Sequence, residues 1–292
     1  MARRRLKGRR TEREGVSEHP TRRRVLAGGA TALLASVTGC SGATPFVGKR
    51  TERIETVAVD GADRLLVRTD LGDVTLRAAD RDDIGVRITK QASSVTADLS
   101  DLAFRVERTG GELLLRSAFT GDTESFGGRP SMSLEVTLPR SLPVSTVESS
   151  VGDVTVEGVV GDVDAETDTG DVRLRGVSGS VRAAASTGDV TVTDPGAIRG
   201  ARTDTGNVTA DVPAVDGDVR VESRTGDAAV AVGGDIDADL RVATNAGDVS
   251  VSGVSLSDAT RSERLIAGTL GDGGPDLDVE TRTGNASVSP LN

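Results

Sequence analysis

The residues of this chain whose types and spacing suit catalysis are carboxylates. Asp162, Asp164, Asp168 and Asp171 fall close together, and paired carboxylates act as general acid and base when burial or a close like charge raises one pKa. Nothing local promises such a shift. Asp162 and Asp171 occupy a recurring slot after Gly, and Asp164 and Asp168 fall on solvent-side or turn positions. Other catalytic types are scarce: the one His is His19, the one Cys is Cys40, and Tyr and Trp are absent. Beyond Cys40 that excludes Ser-His-Asp and Cys-His arrangements, His-ligated zinc and aromatic stacking platforms. Neither GxxxxGK[ST] nor GxGxxG occurs. We therefore expect no catalytic residue, no metal-ligand set and no cofactor.

Cys40 stands at a place with its own chemistry. Arg22 and Arg23 precede an apolar stretch from Val25 to Val37, followed by Val37-Thr38-Gly39-Cys40. A basic region, a short apolar core and a small residue before the cut make a secretory signal. The Arg22-Arg23 pair adds a twin-arginine address, which a receptor reads. The apolar stretch falls short of the roughly 20 residues a spanning helix needs. Val37 to Cys40 resembles the lipobox of lipoproteins, which implies lipidation of the Cys40 sulfur, with Thr38 a mild departure. The alternative is an uncleaved N-terminal helix carrying a lone buried Cys. Two lipid chains would hold the body at a membrane, whereas one binds marginally.

Cleavage at Cys40 would change the charge inventory. The residues from 40 onward carry 25 Lys+Arg against 42 Asp+Glu, a net charge of −17, with Asp outnumbering Glu and only two lysines, Lys49 and Lys90. Such an acidic, Lys-poor surface resembles proteins of extreme halophiles; an ordinary acidic secreted protein is the alternative. Nucleic acid is a poor partner for so negative a body.

Self-similarity dominates the second half. Gly152-Asp153-Val154, Gly170-Asp171-Val172, Gly188-Asp189-Val190 and Gly206-Asn207-Val208 recur at intervals of 18 residues, then the series loosens through Gly226 and Gly247 and returns at Gly284-Asn285-Ala286. A weaker half-repeat falls between them at Gly161-Asp162, Gly179-Ser180, Gly217-Asp218 and Gly234-Asp235. The second and fourth residues after each Gly are apolar and the third mostly polar, which is the alternation of a half-buried strand. Gly followed by Asp or Asn supplies the turn.

An 18-residue register files Val154, Val172, Val190 and Val208 in one column, and Val156, Leu174, Val192 and Ala210 in another. Ladders of like residues are what stacked rungs bury. The expected fold is all-β, a β-solenoid (β-helix-like) with rungs of about 18–20 residues; a β-sandwich is the alternative. The expected organisation is a signal peptide at 1–39, a lipid-anchored tether at 40–50, N-terminal strands and cap at 51–145, and the regular repeat at 146–292. Phe104, Phe119 and Phe126 mark thicker first rungs or a cap. Thr120–Ser131 and Gly253–Ser262 look like loops, with a turn at Gly271–Pro275.

The run Ser133-Leu-Glu-Val-Thr-Leu-Pro139, then Ser149-Ser-Val-Gly-Asp-Val-Thr-Val-Glu-Gly158, then the recurring Thr-Gly-Asp-Val units resemble the β-strand-repeat "putative adhesin" family over roughly 60–288. The resemblance implies a domain of unknown function on secreted and envelope-associated proteins and carries no catalytic residues. Three readings follow. The first is a non-catalytic adhesin-like or scaffold module, held to the membrane by lipid on Cys40, that binds an envelope polysaccharide or surface protein, or itself. The second is a carbohydrate-active β-helix enzyme using the Asp cluster. The third is cation binding by the turns, since Asp153, Asp171, Asp189 and Asp227 would stack at about 4.8 Å. Like charges at that spacing repel by roughly 0.9 kcal/mol in water, and much less near 1 M salt. We expect diffuse salt dependence and no tight calcium site.

Overall fold

The computed structural model describes residues 48–95, 97–121 and 129–291. Alternation sets the strands as expected: Val172 and Leu174 are buried while Arg173 and Arg175 between them face solvent. The first seven strands are β1 (Lys49–Ala58), β2 (Arg64–Leu71), β3 (Val74–Ala79), β4 (Asp83–Ala92), β5 (Leu102–Thr109), β6 (Glu112–Phe119) and β7 (Ser131–Pro139). The regular part runs through β8 (Val144–Val151), β9 (Val154–Glu157), β10 (Val163–Thr169), β11 (Val172–Arg175), β12 (Ser180–Thr187), β13 (Val190–Thr193), β14 (Ala197–Thr205), β15 (Val208–Val212), β16 (Val219–Thr225) and β17 (Ala228–Val232). Then come β18 (Ala238–Ala246), β19 (Val249–Val251), β20 (Ser257–Arg261), β21 (Leu265–Leu270), β22 (Asp276–Thr283) and β23 (Ala286–Pro290).

These strands form two sheets. Sheet I has the order β1-β4-β7-β3-β9-β11-β13-β15-β17-β23-β19, and sheet II the order β20-β21-β18-β22-β16-β14-β12-β10-β8-β2-β6-β5. The β2–β3 rung and those from β8–β9 onward are each a sheet II strand, a Gly-Asx corner and a sheet I strand, as in β10 to β11 and β12 to β13. The register is the expected one: Val154, Val172, Val190 and Val208 pair in succession, as do Val156, Leu174, Val192 and Ala210. The solenoid is thus the fold, with each coil flattened to two sides whose inner faces share one core of Val, Leu, Ile and Ala.

The rungs do not stack in chain order at either end. The β2–β3 rung sits between β6–β7 and β8–β9, and the β22–β23 rung sits between β16–β17 and β18–β19. The 20-residue step from Gly206 to Gly226 comes from a longer turn between β15 and β16, whose rungs still stack in chain order; the exchange displaces only the later corners. Ala286 pairs with Ala228 on one side and Val249 on the other, so Gly284 belongs in space between Gly226 and Gly247.

Parallel stacks need protected edges, and here the pairing becomes antiparallel at both ends. β1 pairs with β4, β4 with β7, and β5 with β6 at one end; β18, β21 and β20 alternate in direction at the other. Charged side chains along β1 (Lys49, Arg50, Glu52, Arg53, Glu55) further discourage pairing with another chain. Phe104 and Phe119 pack against the core in this first cap. The loop expected at Gly253–Ser262 contains β20, a strand exposed at every position and so without an alternating apolar face to betray it. Gly271–Pro275 is a turn, as expected.

Candidate functional site

The Gly-Asx corners form the most regular polar feature of the stack. Along the axis the corner residues run Asp73, Asp153, Asp171, Asp189, Asn207, Asp227, Asn285, Asp248. The side-chain Oδ1 of each accepts a hydrogen bond from the backbone N–H of the next, at 2.7–3.1 Å. Ser133 Oγ starts the series by accepting from Asp73 N–H at 3.1 Å. Asn serves as well as Asp because only the acceptor oxygen is required. The Gly before each Asx lies at φ between +131° and +146°, and a Cβ on it would collide with the carbonyl of the adjacent corner. Gly at this place is compulsory on both counts.

A second file runs just inside the corners. Ser149, Thr167, Thr203, Ser223, Thr281 and Thr244 are buried, and their hydroxyls donate to the carbonyl oxygens of Gly72, Gly152, Gly188, Gly206, Gly226 and Gly284 at 2.8–3.1 Å. Each lies three residues before its own corner Gly. At this slot in β12 stands Ala185, and the hydroxyl of Thr69 is buried without a partner. Alternation analysis of the residues after Gly missed this file, although Ser/Thr at the third position before Gly is visible in the chain.

The outer face of sheet II carries long charged side chains in cross-strand columns. One column reads Arg68, Glu148, Glu166, Ala184, Arg202, Glu222, Glu280. The next reads Asp164, Arg182, Gly200, Arg220, Asp278. Ion pairs cross it: Arg68–Glu148 at 2.9 Å, Arg220–Glu280 at 2.8 Å and Arg224–Asp204 at 2.7 Å. Exposed pairs of this kind contribute about 0–1 kcal/mol each, so the lattice does not account for the fold's stability. It presents guanidinium donors and carboxylate acceptors interspersed on a broad surface.

The sequence profile of the Toastrack DUF4097 family matches residues 131–289, more than half of the chain. The chain belongs to the Toastrack DUF4097 family. No curated protein matches it significantly. Among solved structures it is similar to a "putative cell adhesion protein" of Clostridium sporogenes, at 13% identity and TM-score 0.37, covering 83% of this chain and 100% of that one. It is also similar to a "putative adhesin" of Bacteroides fragilis, at 11% identity and TM-score 0.39, covering 83% and 97%. A third, a "putative adhesin" of Parabacteroides distasonis, gives 12% identity and TM-score 0.38, covering 84% and 98%.

The Toastrack match begins at β7, yet the β2–β3 rung before it carries the same Gly72-Asp73 corner. The carboxylates singled out from the sequence are dispersed by the Toastrack coil. Asp164 and Asp168 face outward on β10, about 13 Å apart along the strand, and Asp164 pairs with Arg199 at 2.7 Å. Asp171 lies past the Gly170 corner and belongs to the ladder, while Asp162 sits at the opposite corner accepting from Ser180 N–H at 2.8 Å. The partners of Asp162, Asp164 and Asp171 are all different. The corner Asp oxygens weighed as cation ligands are engaged by backbone amides through Oδ1, and Arg173 bridges Asp153 and Asp171. Among the described residues no cluster of His, Cys, Asp and Glu has a metal-holding arrangement. Arg22, Arg23 and Cys40 lie outside the described residues, as do Phe126 and most of the expected loop at 120–131. No helix among the described residues is long and apolar enough to cross a membrane.

Both lysines of the described Toastrack body hold one short segment. Lys49 donates to the carbonyl of Ala97 at 2.8 Å, and Lys90 to those of Leu99 and Leu102. Burial pushes the Lys90 ammonium below its ordinary pKa, with Arg53 adding to the effect and Glu55 opposing it. Between these contacts Asp98 caps a 3-10 turn at Leu99–Asp101, accepting from Ser100 N–H at 2.9 Å, and that hydrogen bond lowers its pKa.

Proposed function

We propose that this chain is a non-catalytic, adhesin-like module of the cell surface, exported by its twin-arginine leader and held at the membrane through lipid on Cys40. The observation that carries this reading is the shape of what the stack offers: a broad face of paired charges, without any convergence of reactive groups. A face of that kind suits contact with an extended partner, an envelope polysaccharide or a surface protein, better than enclosure of a small substrate. The dispersal of Asp164, Asp168 and Asp171 across a strand and a corner supports the non-enzymatic side of the reading. The excess of carboxylates and the near absence of Lys support a salt-rich setting.

Two measurements test it. Cys40→Ser should move the protein from the membrane fraction to the soluble fraction with its β-sheet circular dichroism unchanged; retention at the membrane would overturn the anchor. Crosslinking of the anchored protein in intact cells at native salt should then capture envelope material, whereas capture of its own copies alone would favour a scaffold over an adhesin. Turnover of an acidic polysaccharide by the purified protein would overturn the non-catalytic reading.

A further inference from the structure

The face of sheet II contains one place where its charge lattice is incomplete. Between β12 and β14 the register slips: Val181 pairs with Ile198 but Arg182 with Gly200, so Arg199 is an extra, bulged residue. Bulges re-aim side chains, and this one adds a guanidinium to the face while placing Gly200 between Arg182 and Arg220 in its column. In the neighbouring column Ala184 stands between Glu166 and Arg202. Two adjacent columns thus lack a long side chain at neighbouring positions. Gly200 floors a shallow basin of about 160 Å³ rimmed by Arg182, Arg199, Arg202 and Arg220, with Glu222 at its side. A second depression over Ala184 shares Arg202 and Glu222 with it.

The four guanidiniums are not equivalent. Arg199 is neutralised by Asp164 at 2.7 Å, and Arg220 by Glu280 at 2.8 Å and Glu222 at 3.2 Å. Arg182 and Arg202 are both exposed, and among the described residues neither has a carboxylate within ion-pair distance. Arg105 and Arg116, opposite each other on β5 and β6, likewise lack a carboxylate partner among the described residues; what sets Arg182 and Arg202 apart is the cleared patch of backbone at Gly200 beside them. A guanidinium presents a planar fork of donors that matches a carboxylate in bidentate fashion.

We propose that this basin binds a sugar acid: a glycan bearing one isolated carboxylate on a pyranose ring, which Arg182 and Arg202 grip while Glu222 accepts hydrogen bonds from ring hydroxyls. The surrounding negative field disfavours a dense polyanion, so the ligand is a sparsely charged or acid-terminated glycan. With no aromatic platform, one site is weak, and useful avidity comes from many anchored copies meeting many sugar acids. This inference rests on the adhesin-like reading and deepens it.

The test uses the mature protein and three probes: a glucuronic-acid-terminated oligosaccharide, its glucose-terminated analogue, and heparin. The acid-terminated probe should bind about tenfold more tightly than the neutral one, and heparin no more tightly than the acid-terminated probe. Arg182→Ala with Arg202→Ala should abolish the preference, as should Ala184→Glu, which puts a carboxylate into the gap. Arg175→Ala, which removes an unpaired guanidinium from the opposite sheet, should leave it intact. Equal binding of acid and neutral probes, a preference that survives both basin variants, or stronger capture by heparin would each overturn the proposal. Envelope adhesion by the double Arg variant, measured in parallel, separates the two levels: adhesion that persists sinks the basin and spares the adhesin-like reading, while wild-type protein that adheres to nothing sinks that reading itself.

Discussion

Asp227 Oδ1 accepts the backbone N–H of Asn285 at 2.7 Å across 58 residues of chain. That one bond records the exchange of rungs near the end of the stack, since it places Asn285 against Asp227 although the corner at Gly247-Asp248 intervenes in sequence. It also puts an uncharged residue between Asp227 and Asp248 in the column. The consecutive run of carboxylates is therefore Asp73, Asp153, Asp171 and Asp189 only.

Removal of that acceptor should be felt directly. Asp227→Ala leaves the Asn285 amide without its partner and should lower the unfolding free energy by about 1–2 kcal/mol. Asp227→Asn, which keeps the acceptor as Asn207 and Asn285 do, should change it little. Urea unfolding of the two variants side by side checks the pair; equal losses would show that charge, not hydrogen bonding, matters at the corner.

Salt separates the two contributions in the charged run. Asp189→Asn keeps the acceptor for Asn207 N–H and removes one repulsion with Asp171. It should stabilise the protein by up to about 0.9 kcal/mol at low ionic strength. The gain should fade near 1 M salt, where the Debye length is about 3 Å. Urea midpoints across a salt series give the result, and a gain independent of salt would contradict it.

The corner Gly positions should tolerate no side chain. Gly188 lies at φ +138° with the Gly170 carbonyl where its Cβ would go, so Gly188→Ala should cost about 3 kcal/mol or more in urea unfolding, from backbone strain plus overpacking. Gly217, which has open space around its Cβ position and no positive φ, is the matched control, and Gly217→Ala should be close to neutral.

The inner hydroxyl file makes a prediction in the stabilising direction. Ala185 occupies the slot from which a hydroxyl would reach the Gly170 carbonyl, as Thr167 and Thr203 reach those of Gly152 and Gly188 on the flanking rungs. Ala185→Ser should raise the melting temperature, gaining about 0.5–1 kcal/mol, and Thr167→Val should lose about as much.

Acid should loosen the segment held by the two lysines. The Asp98 carboxylate has a native pKa below its ordinary value because it accepts the Ser100 amide. Its contribution is fully present above the unfolded carboxylate pKa and is lost as pH falls through the lower native value. Protection of the amides around residues 97–102, taken relative to their intrinsic exchange rates, should therefore fall below about pH 4 in the wild type, and Asp98→Asn should flatten that dependence.

What was legible in the chain follows from what repeats. Val154, Val172, Val190 and Val208 recur at a fixed interval, and identical residues at identical spacing determine both the strand and its neighbour. Gly152-Asp153 and its copies disclosed the corner and the stacking of its Asp and Asn residues, while the bonding of each Oδ1 to the next corner's amide emerged from the structure. The exchange of rungs was not legible, because Gly226, Gly247 and Gly284 are unevenly spaced and local alternation is the same whichever rung lies alongside. The Arg199 bulge was hidden for a related reason: Gly188 to Gly206 still measures 18 residues, so the slip inside β14 leaves the period intact. The candidate basin depends on that slip and on the absent side chains of Ala184 and Gly200, which no motif marks.

The exchanged rungs also constrain how such a protein changes length in evolution. With β2–β3 and β22–β23 each locked between neighbours and antiparallel strands closing both ends, a duplicated unit appended beyond either closure would find no parallel partner. A copy inserted among β8 to β17 would meet Gly-Asx corners of the same geometry above and below. Family members should therefore differ in size by whole multiples of one coil, gained or lost from the middle, while their two closures stay recognisable.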